Sequence, residues 1–228
     1  SLVGSEMCIR DRFTDTVPKC MMPICGKPLL SWWMELFEKH SVTEVLVNTH
    51  YLPDAVREFV QIYNAKNTGV RLIEAYEKEL LGSGGTILAN KGFVESESDF
   101  LVCYADNLTD TNLSELIAFH RKKQSVLTMG LFYTNKPIEC GIAAIDSQDL
   151  IYEFTEKPES PKSNLANAGI YVTGQEIFKY LPNQKFIDFG KDVLPKLINK
   201  MYGYEIKDYL LDIGNLDNYE KAQKEWQL

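Results

Sequence analysis

The sequence predicts an α/β fold, in which a mixed and mainly parallel sheet is flanked by helices, and two observations carry that prediction. Strand-like apolar runs alternate with helical segments over short connections in residues 44–122, as they do in right-handed parallel βαβ units. The apolar run from Phe100 to Ala105 has no polar alternation and stops at the carboxylate of Asp106. Because both faces of such a strand need apolar cover, it is typical of a parallel sheet between layers of helices.

Composition limits the classes of function. The 228 residues are 45% hydrophobic and 25% charged, as in an ordinary globular protein with one large domain. No apolar run reaches the roughly 20 residues that span a bilayer, and no signal-peptide pattern is present, so we expect a cytoplasmic protein with no membrane partner. A net charge of −8 argues against a nucleic-acid partner. Five cysteines without a CxxC pair indicate neither a disulfide framework nor a structural zinc site.

The first part of the chain divides at residue 13. Residues 1–12 show neither a helical nor a strand period, and we expect them to be non-native. Three prolines, Pro18, Pro23 and Pro28, exclude a regular helix after that point and predict an ordered loop. Pro28 suits the first turn of a helix, because its missing amide has no partner there. The next residues give that helix a wide apolar face.

The remaining elements follow from apolar periodicity and turn residues. In the first half we expect a strand at 44–49, a helix at 53–63, a strand at 70–77, a glycine-rich turn into a short helix at 80–88, and a helix at 112–122. In the second half, strand-like runs at 126–134, 141–146, 150–156 and 167–174 are joined by turns, and we expect helices near 175–180 and 191–200, strands at 201–207 and 209–214, and a closing helix at 216–226.

Two aspartates follow or end predicted strands. Asp106 comes directly after an apolar run, and open α/β sheets bind ligands beyond the carboxyl ends of their strands. Asp212 ends a second apolar run, and a turn glycine follows it closely. Mg²⁺ prefers oxygen ligands and keeps positions open for phosphates and waters, so a carboxylate pair would suit it. The sequence leaves open whether the two side chains meet, and whether Asp106 only caps a turn.

Three lysines, Lys19, Lys27 and Lys157, stand beside prolines. A proline fixes its own φ and restricts the residue before it, so a loop can hold an ammonium group in place for phosphate binding. The alternative for each of them is an ordinary solvated loop lysine, because lysine is mostly exposed.

Six segments, in this order, resemble the sugar-1-phosphate nucleotidyltransferases, the NDP-sugar pyrophosphorylases of glycosyltransferase-A-like, Rossmann-like fold. The resemblance covers nearly the whole chain from Phe13 to Trp226 and is closest to small mannose-1-phosphate and heptose-1-phosphate guanylyltransferases. It favours a single domain over 13–228, with a nucleotide half at about 13–124 and a sugar-phosphate half at about 125–228. The segments are FTDTVPKCMMPICGKPLL, LLGSGG, YADN, FTEKP, NAGIY and LLDIGN.

The resemblance also implies roles for individual residues. Asp106 and Asp212 would hold Mg²⁺, and Lys19 would contact the nucleotide phosphates. Residues around Leu81 and Gly82 would bind the base through their backbone. For the sugar 1-phosphate, Lys157 would bind the phosphate, and Glu156 and Asn167 would form hydrogen bonds with sugar hydroxyls. Gly141 and Gly169 would let the sugar approach the backbone closely. For the two glycines, an ordinary strand bulge or turn is an equal alternative.

The implied reaction joins an NTP and a sugar 1-phosphate into an NDP-sugar and releases pyrophosphate. The attacking phosphate is already anionic, so no protein nucleophile is required, and the sequence shows no persuasive Ser/His/Asp or Cys/His constellation. We expect GTP and mannose 1-phosphate. A uridylyl- or thymidylyltransferase and a non-catalytic nucleotide-sugar-binding regulatory subunit are the alternatives, and a homo-oligomer is left open.

The resemblance also implies a glycine-rich turn, GxGxRL, directly before the segment that starts at Phe13. Residues 1–12 contain a single glycine, Gly4, and Arg10 and Arg12 do not fall at the spacing of that motif. A phosphate-binding turn needs several close backbone approaches. We therefore expect residues 1–12 to be artefactual, and the chain as written to be less stable and far less active than one that carries the motif.

Overall fold

The computed structural model describes the backbone of residues 2–4 and the whole of residues 17–226. The strands of this part are β1 (Leu2–Gly4), β2 (Pro23–Ile24), β3 (Lys27–Pro28), β4 (Glu44–Thr49), β5 (Arg71–Tyr76), β6 (Phe100–Tyr104), β7 (Asn107–Thr109), β8 (Leu127–Tyr133), β9 (Gly141–Ile145), β10 (Ile151–Glu156), β11 (Leu165–Thr173), β12 (Met201–Glu205) and β13 (Leu210–Asp212). The α-helices are α1 (Leu29–Lys39), α2 (Pro53–Ala65), α3 (Gly82–Ala89), α4 (Leu113–Lys123) and α5 (Leu216–Glu225). The predicted mixed α/β fold class is confirmed.

The chain forms two compact units, each discontinuous along the sequence. Unit 1 takes the described parts of residues 1–80, 103–111 and 208–228, and unit 2 takes residues 81–102 and 112–207. Strand β6 crosses from unit 2 into unit 1 between Val102 and Cys103. The structure therefore does not divide the chain at residue 124, and the functional halves at 13–124 and 125–228 stay a prediction.

Unit 1 contains the parallel strands that the first half of the sequence predicts. Strand β4 pairs in parallel with β1 on one side and with β5 on the other. Three consecutive buried residues, Val45 to Val47, form the centre of β4, so both of its faces are covered as expected. Helix α1 begins directly after Pro28 and buries its apolar face, and the indole Nε1 of Trp33 donates to the Asn107 carbonyl at 2.8 Å. This contact ties α1 to β7, the strand that follows Asp106.

Unit 2 is built mainly from antiparallel strands, and the four strand-like runs predicted in the second half are present as β8 to β11. Strand β9 pairs with β10 and with β11, and β11 pairs with β8, all in antiparallel register. Strand β12 adds to β8 in parallel. The pairing of β11 with β8 shifts between Asn167 and Tyr171, which places an irregularity in the NAGIY segment. Turn-linked strands thus position the predicted sugar-binding residues.

Two of the predicted helices take a different form. The segment predicted as a helix at 191–200 consists of a π-helical turn at Phe189–Val193 and a 3₁₀ turn at Leu194–Leu197. Pro195 explains the break, because proline lacks the amide that a regular helix would use and its ring clashes with the preceding turn. The helix expected near 175–180 is a single 3₁₀ helix at Gln175–Lys179.

The N-terminal segment lies mostly outside the described residues. Residues 5–16 belong to that undescribed part, so the expected absence of a GxGxRL turn is not addressed by the structure. The backbone of Leu2–Gly4 forms a strand, with Leu2 opposite Leu46 and Val3 opposite Val47. The expectation that this segment lacks strand character is therefore wrong for residues 2–4. Its non-native origin stays a prediction.

Among the residues that the structure describes, the helices are all too short or too polar to cross a membrane.

Candidate active site

The structure brings Asp106 and Asp212 together within unit 1. Strand β6 ends at Tyr104 and β7 begins at Asn107, so Asp106 lies in the tight connection between them. Strand β13 pairs with β7 in antiparallel register and places Asp212 opposite Asn107. The amide of Ile213 donates to the Asp106 carbonyl at 3.0 Å, which fixes the two ends next to each other. The pairing of β7 with β13 thus decides what the sequence had left open.

Lys19 lies beside this carboxylate pair. Its Nζ lies 3.7 Å from Asp106 Oδ2, and the two side chains are only 10% and 17% exposed. The pKa of Asp106 is raised to about 6, chiefly by burial and then by the charge of Asp212, while Lys19 opposes both effects. Two carboxylates thus lie near one ammonium group, which pairs with Asp106, so the cluster favours an additional cation.

The loop around Lys19 explains why this lysine is not solvated. Pro18 precedes a 3₁₀ turn at Lys19–Met21, in which the Met21 amide donates to the Pro18 carbonyl at 2.8 Å. The side chain of Cys20 is buried and anchors the turn. Lys27, by contrast, pairs with Glu35 at 2.8 Å and is 42% exposed. The phosphate-binding interpretation therefore suits Lys19, whereas Lys27 is a surface lysine.

Gly214 is a neighbour of this site that sequence reasoning did not assign. Its amide donates to Asp212 Oδ1 at 2.6 Å. A Cβ at this position would lie 2.8 Å from that oxygen and 3.4 Å from Lys19 Nζ. A side chain would therefore crowd both charged groups. The signal was present in the sequence, because the glycine stands two residues after a strand-ending aspartate.

The donor set fits Mg²⁺. Carboxylate oxygens are the ligands that this ion prefers, and it normally takes further ligands from phosphates and water. In the part of the chain that the structure describes, no three His, Cys, Asp or Glu side chains are grouped so that they could enclose a metal ion. Asp106 and Asp212 alone would therefore supply only part of a Mg²⁺ ligand set, and a bound nucleotide would have to complete it.

Glu156 and Gly141 meet in unit 2. Glu156 ends β10 and pairs with Gly141 of β9. A Cβ on Gly141 would lie 2.5 Å from Glu156 Oε2, and one on Gly190 would lie 2.9 Å from the same oxygen. The carboxylate therefore occupies the space that these two glycines leave. Sequence reasoning missed Gly190, which shows only as a single glycine in a segment of mixed apolar and charged residues.

Asn167 and Gly169 belong to the irregular part of β11. The Asn167 side chain donates from Nδ2 to the Tyr171 hydroxyl at 2.6 Å and accepts from the Gly169 amide, through Oδ1, at 3.0 Å. Gly169 has a φ of +65° beside the register shift. The alternative in which this glycine serves a strand bulge therefore has direct support, because its positive φ suits glycine.

Lys157 is exposed and has an unusual backbone. Its φ is +47°, although it precedes Pro158, and its amide donates to the Cys140 carbonyl at 3.1 Å. A non-glycine residue in the left-handed region costs free energy and persists only where the surroundings impose it. The connection after β10 therefore fixes the position from which this ammonium group projects.

The glycine-rich turn around Leu81 and Gly82 packs against the backbone of Ile187. The Ile187 amide donates to the Leu81 carbonyl at 2.9 Å, and its carbonyl accepts from the Gly84 amide at 2.8 Å. Gly82 has a φ of +75°, and a Cβ there would lie 2.5 Å from the Ile187 carbonyl oxygen. These glycines thus permit close backbone packing, and sequence reasoning did not foresee Ile187 as their partner.

An open groove of about 270 Å³ also lies in unit 2, beside β9 and β10. None of the predicted sugar-binding residues lines it, although Ile142, Thr155 and Pro158 are their direct neighbours along the chain. Its lining residues are Ile142, Ala143, Ala144, Glu153, Thr155, Pro158, Ser160, Lys162 and Ser163.

The sequence profile of the nucleotidyl transferase family matches residues 12–227, and the chain belongs to that family. It is 28% identical over 228 residues to the UTP–glucose-1-phosphate uridylyltransferase of Synechocystis sp., covering 92% of this chain and 58% of that protein. It is 27% identical over 225 residues to the mannose-1-phosphate guanylyltransferase of Mycobacterium tuberculosis, covering 97% and 62%. These names confirm the predicted resemblance to sugar-1-phosphate nucleotidyltransferases.

A solved structure agrees in fold. HddC from Yersinia pseudotuberculosis, crystallised in complex with GMP-PN, has a TM-score of 0.82 at 24% identity and covers 99% of this chain and 98% of that chain. The chain spans about three fifths of the length of the two curated relatives it matches.

Proposed function

We propose that this protein transfers a nucleotidyl group from an NTP to a sugar 1-phosphate, which yields an NDP-sugar and pyrophosphate. The observation that carries the proposal is the cluster of Lys19, Asp106 and Asp212. It combines a buried ammonium group with two carboxylates in a chain of the nucleotidyl transferase family. Such a cluster suits a ligand that brings both phosphates and a divalent cation.

In the proposed reaction, a phosphate oxygen of the sugar 1-phosphate attacks the α-phosphorus of the NTP. The bond from the α-phosphorus to the bridging oxygen of pyrophosphate breaks, and pyrophosphate leaves with that electron pair. Because the nucleophile is already anionic, the protein mainly aligns the substrates and offsets their negative charge. Lys19 supplies a fixed positive charge toward the nucleotide phosphates. Mg²⁺, held by Asp106 and Asp212, would neutralise further phosphate charge.

The residues of unit 2 would bind the organic parts of the substrates. Lys157 would hold the phosphate of the sugar 1-phosphate from its fixed backbone position. Glu156 and Asn167 would take sugar hydroxyls, with Asn167 already oriented by two hydrogen bonds. The backbone around Leu81 and Gly82 would bind the nucleobase. These assignments rest on the sequence motifs and on the local order of the residues concerned.

For the particular substrates we propose GTP and mannose 1-phosphate. Support comes from relatives named mannose-1-phosphate guanylyltransferase and from the similar fold of HddC, whose crystals contain GMP-PN. A uridylyltransferase is the second candidate, because a relative of equal identity carries that name. A regulatory subunit that binds nucleotide sugars without turnover is the third.

A panel assay tests these candidates together. Pyrophosphate release is measured with GTP, UTP, dTTP and ATP, each combined with mannose, glucose and heptose 1-phosphates, in the presence of Mg²⁺. We expect the highest kcat/KM for GTP with mannose 1-phosphate. A higher value for another pair would reject that specificity. Nucleotide-sugar binding by calorimetry without turnover of any pair would reject the enzyme and favour the regulatory subunit.

A further inference from the structure

The segment Ile187–Gly190, hereafter the 187–190 segment, contacts the glycine-rich turn through its backbone. The carbonyl and amide of Ile187 bond to Gly84 and Leu81, as described above. The next contact comes from Phe189, whose amide donates to the Ser83 hydroxyl oxygen at 3.0 Å. The Gly85 amide also donates to the Ile187 carbonyl at 3.3 Å, so four hydrogen bonds fix this segment relative to the turn that we assign to the nucleobase.

The same segment contacts the residues that we assign to the sugar. The ring of Phe189 is fully buried and meets the ring of Tyr171 edge to face, with centroids 5.2 Å apart. Tyr171 in turn accepts the hydrogen bond from Asn167 Nδ2. Gly190, the last residue of the segment, leaves room for the Glu156 carboxylate.

The hydrogen bonds of Asn167 fix the direction of its amide. A backbone amide can only donate, so the bond from Gly169 requires the oxygen of Asn167 on that side, and its nitrogen faces Tyr171. Phe189 and Tyr171 both have 0% exposure, so close packing restricts their rotamers. The position of the Tyr171 hydroxyl, and with it the direction of the Asn167 amide, depends on where Phe189 lies.

We propose that Phe189 and Tyr171 are positioning residues, which hold Asn167 for the sugar and set its position relative to the nucleobase turn. The inference rests on the proposed function. It predicts that base and sugar are selected together, because one buried segment is bonded to the turn at Ser83 and packed against the tyrosine that orients Asn167. A change at the turn should therefore alter the use of the sugar substrate.

The first test is Tyr171→Phe, which removes the hydroxyl and keeps the ring. We expect the KM for sugar 1-phosphate to rise about 3- to 10-fold, the range of one lost hydrogen bond, while the KM for the NTP stays within about 2-fold. Tyr204→Phe is the matched control, because the hydroxyl of that strand tyrosine donates to Glu115 Oε2 at 3.2 Å in an exposed position and lies outside the proposed site. It should change neither constant. An unchanged sugar KM in Tyr171→Phe would overturn the proposal.

The second test separates positioning from general stability. Ser83→Ala removes the acceptor of the Phe189 amide, and we expect it to raise the sugar KM as well. The double variant, with Ser83→Ala and Tyr171→Phe, tests whether the 187–190 segment links the turn to Tyr171. If it does, the fold-change in the sugar KM should differ from the product of the fold-changes in the single variants, whereas the changes in Tm should add. Multiplicative effects on KM would overturn the link.

Wild-type measurements distinguish this inference from the proposed function. Binding of sugar 1-phosphate by calorimetry gives a readout that does not need turnover. Phe189→Leu should weaken that binding and narrow the preference between nucleobases, and if this variant does not fold, the two milder variants still decide the question. A wild-type protein that neither binds nor converts any sugar phosphate would overturn the proposed function and this inference with it.

Discussion

The candidate sites of units 1 and 2 are built on different principles. In unit 1, function is assigned to three charged side chains, and the acidic cluster keeps its charge partly unbalanced. In unit 2, the assigned residues include the charged Glu156 and Lys157, but they are spread among glycines, a strand irregularity and the neutral hydrogen bonds of Asn167. We expect the charged cluster of unit 1 to act on phosphates and a metal ion, and the more dispersed contacts of unit 2 to discriminate between sugars and nucleobases. Substitutions in unit 1 should therefore affect rate, and substitutions in unit 2 should affect substrate choice.

The largest effect is expected at the carboxylate pair. Asp212→Asn and Asp106→Asn each remove a charge that the metal requires, and we expect kcat to fall by at least about 100-fold with little change in fold. Asp217→Asn is the control, because this aspartate lies exposed in the first turn of α5. Mg²⁺-dependent pyrophosphate release and circular dichroism are the measurements. Normal turnover of the Asp212→Asn protein would reject the shared metal site.

Substitution of a lysine should affect a different substrate in each unit. Lys19→Ala should lower kcat by about 100-fold through the loss of one fixed charge at the phosphates, and should weaken NTP binding. Lys157→Ala should instead weaken the binding of sugar 1-phosphate more than that of NTP. Lys27→Ala is the control for a proline-flanked surface lysine and should change turnover less than 2-fold, as expected for an exposed ion pair. Equal losses for both ligands in both site variants, measured by calorimetry, would contradict the assignment.

A smaller effect is expected at Gly190 in unit 2. Gly190→Ala would place a Cβ within 2.9 Å of Glu156 Oε2, so the carboxylate must move. We expect the KM for sugar 1-phosphate to rise about 10-fold and kcat to change less, since the phosphate-binding charges are untouched. Gly92→Ala serves as the control, because a Cβ there meets nothing within 4 Å. If both variants behave like wild type, Glu156 does not bind the sugar in the position described.

The smallest effect concerns stability in unit 2. His120 is buried, and its Nδ1 lies 2.9 Å from Thr128 Oγ1 while its Nε2 lies 3.6 Å from Asp99 Oδ1. The pKa of His120 is lowered, chiefly by burial. The charge of Asp99 raises this pKa, and the charge of Arg121 lowers it. A histidine whose folded pKa is lowered takes up its proton more readily in the unfolded chain. Stability should therefore decrease as the pH falls below the ordinary value of 6.5.

This pH effect is measured as the fall in Tm between pH 7.5 and pH 5.5. His120→Gln should reduce that fall, because the titrating group is gone. An identical pH dependence in His120→Gln and wild type would show that other groups account for the loss of stability.

The sequence determined the strands and helices wherever local signals agreed. Strand β4 has the predicted bounds, and α1 and α2 begin where Pro28 and Pro53 indicate. It also placed the two strand-end aspartates and the family motifs, because these depend on neighbouring residues alone. At Pro195 the helical period was misleading, since the missing amide broke the predicted helix into shorter turns.

Only the tertiary structure decided which residues meet. Asp106 and Asp212 are adjacent because β7 and β13 pair, and nothing in either segment alone specifies its partner strand. The same holds for Ile187 on the glycine-rich turn and for Phe189 on Tyr171, because their mixed apolar and charged sequence neighbours carry no signal for either contact. The pKa of Asp106 likewise follows from burial and from Asp212. Local pattern fixes the elements because propensity acts over a few residues, whereas long-range pairing and burial depend on the whole chain.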